Sequence, residues 1–287
     1  MTDDRGVLAL GPARPAASSP VLLCVPGTMC SPRIFTGLTG LGRPVLAAPW
    51  LEWPGPHDMA SLGAAVAGLA ARHRPAVLVG HSTGGVIALS AALQGQASPG
   101  ESPIAGVVVC DSGANMHGHA DVDAIVGRVG SEWGPAMWTQ IARRSVHRPL
   151  PEPVMTELAS YPGRLSAAAV RQALCSQRDT DLLPDLPRLD GLPALVVHGR
   201  HDAARPVGHA EQLAAALPGA QLVLLDCGHT PPVEVPTVFS ATVGRWLRGL
   251  ARRTSQPAGS RHLPAPAPAA AGPWPSGQRL LLYTRTG

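Results

Sequence analysis

Short, uninterrupted apolar runs alternate along this chain with longer stretches whose apolar residues recur at helical spacing. The uninterrupted runs predict β-strands at residues 21–25, 45–48, 76–80, 104–110, 194–199 and 221–225. The periodic stretches predict helices at residues 59–73, 84–94, 207–217 and 236–250, with Asp58 placed to cap the first of them. Because the strand runs do not alternate with polar residues, both faces of the sheet must be covered. The pattern therefore predicts an α/β fold with a doubly wound, mostly parallel sheet.

Residues 112–190 interrupt this alternation, because they contain few strand-like runs. Amphipathic stretches within the interval predict helices at residues 122–129, 136–145, 153–160 and 166–175. We interpret the interval as a helical cap that is inserted between two sheet strands and folds over the carboxyl edge of the sheet. We expect most of its Trp and Met side chains to pack the cap onto the core, which consists of residues 20–111 and 191–250, and one or two to line a pocket.

Composition and charge change this picture mainly at the two ends. Residues 1–19 are expected to be a loose leader, and residues 251–287, rich in Pro, Ala and Arg, a disordered tail. The net charge is +4, but the tail carries five Arg and no acidic residue, so the remaining residues sum to −1. The body therefore gives no electrostatic reason to expect a nucleic-acid partner, and we expect a small-molecule substrate.

The cysteines and the apolar runs bear on the cellular compartment. The five cysteines are odd in number and irregularly spaced, which indicates free thiols in a reducing compartment. The first residues lack the basic and apolar regions of a signal peptide, and no apolar run is long enough to cross a bilayer. We therefore expect a cytoplasmic protein with no membrane span, and the sequence leaves its oligomeric state open.

The strand at residues 76–80 and the helix at residues 84–94 are joined by Gly80-His81-Ser82-Thr83-Gly84, a match to G-x-S-x-G in its required setting. A serine at the tip of so sharp a turn leaves no room for side chains two residues away, and Gly80 and Gly84 supply that room. The helix directs its first N–H groups toward the serine. Ser82 is therefore a candidate nucleophile, and the Thr83 N–H a candidate oxyanion donor.

A serine nucleophile needs a general base and an acid that orients the base. Such residues are expected on loops after the carboxyl ends of strands. Asp202 follows the strand at residues 194–199, and His229 follows the strand at residues 221–225. Asp111, which also follows a strand, could orient His229 instead. Asp226 is interpreted as a turn group, and His81 and His201 as structural neighbours of the motifs.

These motifs, in the order nucleophile, acid, base, resemble those of the α/β-hydrolase fold family over residues 20–250. The matching positions are Gly80-His81-Ser82-Thr83-Gly84, then Gly199-x-x-Asp202 followed by Pro206, then Gly228-His229 followed by Glu234, Pro236 and Phe239. The resemblance implies Ser82 as nucleophile, His229 as general base and Asp202 as its orienting acid. It also implies that residues 112–190 are the variable cap of that family, and it implies no cofactor.

The same resemblance implies a second oxyanion donor in the turn after an early strand, where the family often has His-Gly-x. Here the turn is Pro26-Gly27-Thr28-Met29. Proline replaces the histidine, which removes a side chain but not the backbone amide that is needed. Thr28 is the implied donor, and Met29 is the alternative.

One stretch in the cap offers a competing chemistry. Residues 116–123 resemble the H-x-H-x-D-H metal motif of metallo-β-lactamases, but Val122 stands at the sixth position, where a histidine ligand belongs. The parallel-sheet pattern is also wrong for that fold. We therefore expect no metal and interpret His117 and His119 as part of a polar entry to the cap. Cys30 or Cys227 could be a reactive thiol, but the only argument for this is that both lie near the candidate site.

The function that these features predict is hydrolysis of a carboxylic ester, or a thioester, of a small to medium, largely apolar substrate through an acyl-enzyme. The same fold and triad could instead serve carbon–carbon bond hydrolysis, hydroxynitrile lyase, peroxidase or aminopeptidase chemistry. An aminopeptidase would be expected to place acids in the cap, where Glu132, Glu152 and Glu157 are available. A non-catalytic ligand receptor is a further alternative, but such proteins often lose a triad member.

Overall fold

The computed structural model describes residues 6–11, 19–95, 102–119 and 122–254, and its centre is a seven-stranded sheet. The strands are β1 (Leu8–Ala9), β2 (Val21–Val25), β3 (Val45–Ala47), β4 (Ala76–His81), β5 (Ile104–Cys110), β6 (Ala194–Gly199) and β7 (Gln221–Leu225). Across the sheet their order is β1-β3-β2-β4-β5-β6-β7. The pair β1–β3 is antiparallel and the other pairs are parallel. The predicted α/β fold with a mostly parallel sheet is confirmed.

Both faces of the sheet are buried. In β4, Leu78 belongs to one apolar cluster, whereas Val77 and Val79 belong to the cluster on the opposite face. The first face is covered by α1 (Met59–Arg72), α2 (Thr83–Gln94) and α7 (Val207–Ala216), the second by α9 (Pro236–Thr254) and the 3₁₀ helix Pro32–Leu41. A short helix, α8 (Pro231–Glu234), precedes α9. Burial on both faces explains why the strands are continuous apolar runs.

The helix ends agree with the predicted ones to within a few residues. Helix α1 begins at the predicted cap, since the Asp58 side chain accepts a hydrogen bond of 2.9 Å from the Ser61 N–H. The largest difference is at α9, which ends at Thr254 and so extends into the predicted tail. Its last turn is Ala251-Arg252-Arg253-Thr254, in which Ala and Arg are good helix formers. The rest of that tail lies outside the described residues. Of the helices in the described ranges, none is long and apolar enough to cross a membrane.

The described part of the interval between β5 and β6, for which the sequence predicts a cap, contains the 3₁₀ helices Tyr161–Arg164 and Leu183–Leu189 and four α-helices. The α-helices are α3 (Val122–Ser131), α4 (Pro135–Arg144), α5 (Glu152–Ser160) and α6 (Ala167–Arg178). Met137 is buried, and the rings of Trp133 and Trp138 meet edge to face at 5.4 Å. The sheet with helices inserted between two of its strands is the predicted fold class. The division into domains with exact boundaries stays a prediction, and "the cap" denotes residues 112–190 below.

The structure differs from the prediction near the N-terminus. Within the predicted loose leader, Leu8 and Ala9 form β1, which pairs with Ala47 and Leu46 of β3. A strand of two residues, neither of them fully buried, is too short to show either alternation or a continuous apolar run. Its position at the edge of the sheet depends on pairing with β3, which no local pattern reveals.

Candidate active site

Ser82 lies in the turn between β4 and α2, in a strained backbone conformation with φ 52° and ψ −123°. Two glycines make this turn possible. A methyl group on Gly80 would overlap the carbonyl oxygen of Gly84, and one on Gly84 would overlap that of Val25. The sterically tight turn predicted from the motif is therefore present, and it presents the Ser82 side chain above the carboxyl end of β4.

The structure brings Ser82, Asp202 and His229 together from three separate loops. The Ser82 hydroxyl donates to Nε2 of His229 over 3.0 Å, and Nδ1 of His229 donates to Oδ2 of Asp202 over 2.7 Å. The Asp202 side chain is 0% exposed and that of His229 is 11% exposed. This is the relative arrangement that transfer of the serine proton to the imidazole requires.

Asp202 is held as a carboxylate. Its other oxygen, Oδ1, accepts hydrogen bonds from the N–H groups of Ala204 and Arg205 at 2.7 and 2.8 Å. Burial by itself raises the pKa of Asp202, but the neighbouring His229 and the Arg205 N–H outweigh burial and lower this pKa to about 2. A negative charge at this position stabilises the imidazolium that forms when His229 takes up a proton.

Asp111, the alternative acid, lies close to Asp202 but has different hydrogen-bond partners. Its Oδ1 accepts a hydrogen bond of 2.8 Å from the Gly199 N–H, and its Oδ2 accepts one of 3.0 Å from the Cys110 thiol. One of its carboxyl oxygens lies within 4.8 Å of a carboxyl oxygen of Asp202. Burial and the charge of Asp202 raise the pKa of Asp111 well above its usual range. The structure therefore pairs His229 with Asp202, and the raised pKa of Asp111 favours its protonated form beside that carboxylate.

The sequence indicated structural roles for the motif histidines, and the structure shows what His81 does. Its Nε2 donates to the backbone carbonyl of His229 over 2.7 Å. Burial, together with the adjacent His229, lowers the pKa of His81 to about 3, so the ring is neutral. His201 bonds to Asp226 at 2.8 Å, and Arg148 reaches the same carboxylate at 2.9 Å. The Asp226 carboxylate is thus bound by His201 and Arg148, which are not part of the candidate site.

Glu234 fixes the loop that carries His229. Its Oε2 accepts hydrogen bonds from the N–H groups of Gly228 at 3.0 Å and His147 at 2.7 Å, and its Oε1 accepts one from the Thr230 N–H at 3.0 Å. The sequence marked Glu234 as part of a motif but gave it no role. Its partners show that it closes the His229 loop against the cap.

The predicted oxyanion donors lie on adjacent turns beside Ser82. A methyl group on Gly27 would come within 2.9 Å of the Ser82 Cβ, so the turn after β2 packs directly against the serine. Met29 has a left-handed backbone, with φ 63°. Within the described part of the chain, no hydrogen bond takes up the backbone N–H of Thr28, Met29 or Thr83. All three predicted donors therefore remain available to a ligand.

A side chain that the sequence did not single out completes this region. The hydroxyl groups of Thr28 and Thr83 are 2.7 Å apart, and the Thr83 hydroxyl donates to Oε1 of Gln177 over 2.8 Å. Gln177 lies near the end of α6 and is 3% exposed. A polar residue on an amphipathic helix belongs to no motif, so only its place in the fold reveals it.

Ser82 and His229 open into a cavity of about 230 Å³ between the core and the cap. The apolar side chains that the cap contributes to its wall include Val122, Ile125, Met137, Ile141, Leu158 and Leu174. None of the described residues that line it is acidic. A larger groove of about 730 Å³ lies on the cap between α4 and α5, and its wall contains none of the three catalytic candidates. The cavity suits a small, largely apolar group.

The described residues offer one cluster with the spacing of metal ligands, and it is made of Asp111, Asp202 and His229. Its donor atoms are already engaged, because Nδ1 of His229 donates to Asp202 and the two Asp111 oxygens accept hydrogen bonds from the Gly199 N–H and the Cys110 thiol. His117 is exposed, and His119 lies against His209, with ring centres 6.3 Å apart. Asp121, the acid of the metal-like stretch, lies outside the described residues. This donor set does not fit a resident metal ion.

Comparisons with known proteins agree on the fold. A sequence model of the alpha/beta hydrolase family matches residues 22–242. The pimeloyl-[acyl-carrier protein] methyl ester esterase of Nitrosomonas europaea is 36% identical over 73 residues, which cover 25% of this chain and only 29% of that protein. A hydrolase from Pseudomonas aeruginosa superposes with a TM-score of 0.70 at 24% identity, covering 84% of this chain and 93% of that one. The enol-lactonase of Burkholderia xenovorans superposes with a TM-score of 0.71 at 20% identity, covering 84% and 95%.

Proposed function

The chain belongs to the alpha/beta hydrolase family, and we propose that it is a serine hydrolase that cleaves a carboxylic ester or a thioester through an acyl-enzyme. The observation that carries this proposal is the chain of hydrogen bonds from Ser82 through His229 to Asp202, at 3.0 and 2.7 Å. Each of the three side chains has the partner that its role needs. The residues at the ends of three different strands are thereby joined into one acid–base unit.

The proposed reaction follows from these contacts. Ser82 Oγ attacks the substrate carbonyl while Nε2 of His229 takes the hydroxyl proton, and the Asp202 carboxylate stabilises the resulting imidazolium. The oxygen of the tetrahedral intermediate accepts hydrogen bonds from the Thr83 N–H and from the N–H of Thr28, with Met29 as the alternative. The intermediate collapses as His229 returns the proton to the departing alcohol or thiol. Water, activated by the same imidazole, then releases the acid and restores Ser82.

The cavity supports a small to medium substrate with a largely apolar group. Its volume of about 230 Å³ and its apolar wall from the cap leave little room for a large polar substrate. The Nitrosomonas relative is named as an esterase of a methyl ester, which is consistent with ester cleavage by this chain. The absence of acidic residues among the described lining residues does not favour an aminopeptidase, which would need to bind a free amino group.

The test is hydrolysis of p-nitrophenyl esters of increasing acyl length by the full chain and by Ser82→Ala. Loss of the nucleophile is expected to lower kcat about a million-fold without unfolding the protein. The matched control is Ser160→Ala, an exposed serine at the end of α5, which should keep the parent rate. Aminoacyl p-nitroanilides and a monochlorodimedone bromination assay, run in parallel, report the peptidase and peroxidase alternatives.

A fluorophosphonate probe gives an independent readout, because it forms a covalent bond to an activated serine. Labelling of the full chain at Ser82, and none in Ser82→Ala, is expected. Ester hydrolysis that persists in Ser82→Ala at the parent rate would refute the assignment. A protein that neither hydrolyses any of these esters nor reacts with the probe, yet binds small apolar ligands, would be the non-catalytic receptor.

A further inference from the structure

The hydrogen bonds at the candidate oxyanion site run in one direction. The Thr83 hydroxyl has a single hydrogen, and it donates that hydrogen to Oε1 of Gln177 over 2.8 Å. The contact of 2.7 Å between the hydroxyl groups of Thr28 and Thr83 must therefore be a bond in which Thr28 donates. This series of hydrogen bonds runs from the turn after β2, through the first residue of α2, to a glutamine in the cap.

These hydrogen bonds connect β2 and β4 beyond the point where the backbone hydrogen bonds between the two strands stop. Strands β2 and β4 are paired up to Val25 and Gly80, and the two turns that follow have no ladder between them. The β2 turn also contains Met29 in a left-handed conformation, which has to be held by its surroundings. The bond between the two threonine hydroxyls joins these turns at the place where an oxyanion would bind.

Gln177 is itself fixed to the core, independently of the outer cap helices. Gln172 and Ser176, one turn apart on α6, accept hydrogen bonds from the N–H groups of His57 and Met59 at 3.1 and 2.9 Å. These N–H groups flank the start of α1, where no helical partner exists for them. The carboxyl half of α6 is thereby anchored on the core, and Gln177 extends from this anchored segment.

We infer that Gln177 is a positioning residue for the oxyanion site, acting through the Thr83 and Thr28 hydroxyls to keep the backbone N–H groups of both turns directed at one point. The inference rests on the proposed function. Because the hydroxyl hydrogens of Thr28 and Thr83 are both donated within this series of hydrogen bonds, the oxyanion can accept hydrogen bonds only from the backbone N–H groups. Without the Gln177 acceptor the Thr83 hydroxyl turns to other partners, and the spacing of the two turns relaxes.

The test is Gln177→Met, which keeps the length of the side chain but removes its amide. The matched control is Gln221→Met, the same change at an exposed glutamine at the start of β7, a side chain outside the cavity wall. We expect kcat for a p-nitrophenyl ester to fall about tenfold to a hundredfold in Gln177→Met, with KM changed less than about threefold, because small misplacements of catalytic groups have effects of that size. In Gln221→Met both constants should stay within about twofold.

A trifluoromethyl ketone separates positioning from substrate contact. Ser82 Oγ adds to its carbonyl carbon, the hydroxyl proton moves to His229, and the carbonyl oxygen becomes an oxyanion that mimics the intermediate. Its inhibition constant is expected to rise in Gln177→Met by the same factor as kcat/KM falls. Thr83→Val should resemble Gln177→Met, Thr83→Ser should recover most of the loss, and the double variant Thr83→Val/Gln177→Met should be no worse than Thr83→Val alone.

Two results would overturn the inference while the proposed function stands. One is a Gln177→Met variant with the kcat and inhibition constant of Gln221→Met. The other is a rise in KM alone, which would make Gln177 a substrate contact. Failure of the proposed function has a different signature, since the unsubstituted protein would then neither hydrolyse esters nor react with the fluorophosphonate, and both proposals would fall together.

Discussion

The sheet around Ser82 and the cap above it are built in contrasting ways. Every residue of β4 is buried, and so is every residue of α2 from Thr83 to Leu93. In the cap, by contrast, α4 buries only Met137 and Ala142, and α5 buries only Leu158. A packed core can hold a nucleophile in a strained turn. Helices with few buried residues can change in sequence and position without disturbing that turn.

Polar side chains make many of the contacts that tie the cap to the core. Ser31 donates to Glu157 over 2.9 Å, and Tyr161 donates to Glu52 over 3.0 Å. Ser31 and Tyr161 are buried, whereas Glu157 and Glu52 are exposed residues, so these contacts lie at the margin of the cap and outside the sheet. The contrast indicates that the core determines which chemistry is possible and the cap determines which substrate reaches it.

Among the changes that test this contrast, Asp202→Asn alters a residue of the core, and it is expected to cause the largest loss of activity. The asparagine amide would donate to Nδ1 of His229, which forces the proton onto Nε2 and leaves no acceptor for the Ser82 hydroxyl. A loss of about 10⁴-fold in kcat is expected, as measured by ester hydrolysis. The matched control is Asp226→Asn in the neighbouring loop, whose partners are His201 and Arg148, and it should stay within about threefold.

A pair of identical truncations measures the packing difference directly. Leu78 in β4 is 0% exposed, and Leu165 in the cap, between α5 and α6, is 7% exposed. We expect Leu78→Ala to lower the free energy of unfolding by about 4–5 kcal/mol and Leu165→Ala by about 2–3 kcal/mol, because the rigid sheet relaxes less around a cavity. Urea unfolding of both variants gives the two values. Equal losses would show that the cap is packed as rigidly as the core.

The same contrast explains what the sequence could and could not predict. Strands such as β4 and β5 are buried on both faces, so their apolar runs alone locate them. Ser82, Asp202 and His229 follow such strands within recognisable motifs, and the structure brings these three side chains together. Their catalytic roles stay predictions until they are tested.

Other features depend on partners that are distant in the sequence. Gln177 acquires its place only because α6 is anchored beside the start of α1, and β1 exists only because β3 lies next to it. The link that His81 makes to the carbonyl of His229 likewise spans two loops. Local periodicity and motif spacing contain no information about such contacts, so the structure was needed to find them.

Asp111→Asn is expected to have the smallest effect on activity, and it tests the choice between the two buried acids. The amide is uncharged and its oxygen can keep the hydrogen bond from the Gly199 N–H, so kcat should change less than about tenfold. If Asp111 rather than Asp202 oriented His229, the order would be reversed, with a loss near 10⁴-fold in Asp111→Asn and a mild one in Asp202→Asn. Ester hydrolysis by the two variants, assayed side by side, decides between these outcomes.

The same substitution should also change how stability depends on pH. The pKa of Asp111 is raised in the folded protein by burial and by Asp202, whereas in the unfolded chain it is about 3.9. Between these two values the folded state holds a proton that the unfolded state has lost, so the stability of the unsubstituted protein falls as pH rises, by at most about 1.4 kcal/mol per pH unit. Asparagine has no such proton, and Asp202, whose pKa is about 2, contributes no slope in this range. Urea unfolding at pH 5, 6.5 and 8 should therefore show Asp111→Asn gaining stability relative to the parent as the pH rises, until the pH passes the folded-state pKa of Asp111. A difference that stays constant with pH would mean that Asp111 is ionised in the folded protein, and that two adjacent carboxylates, rather than one, lie behind His229.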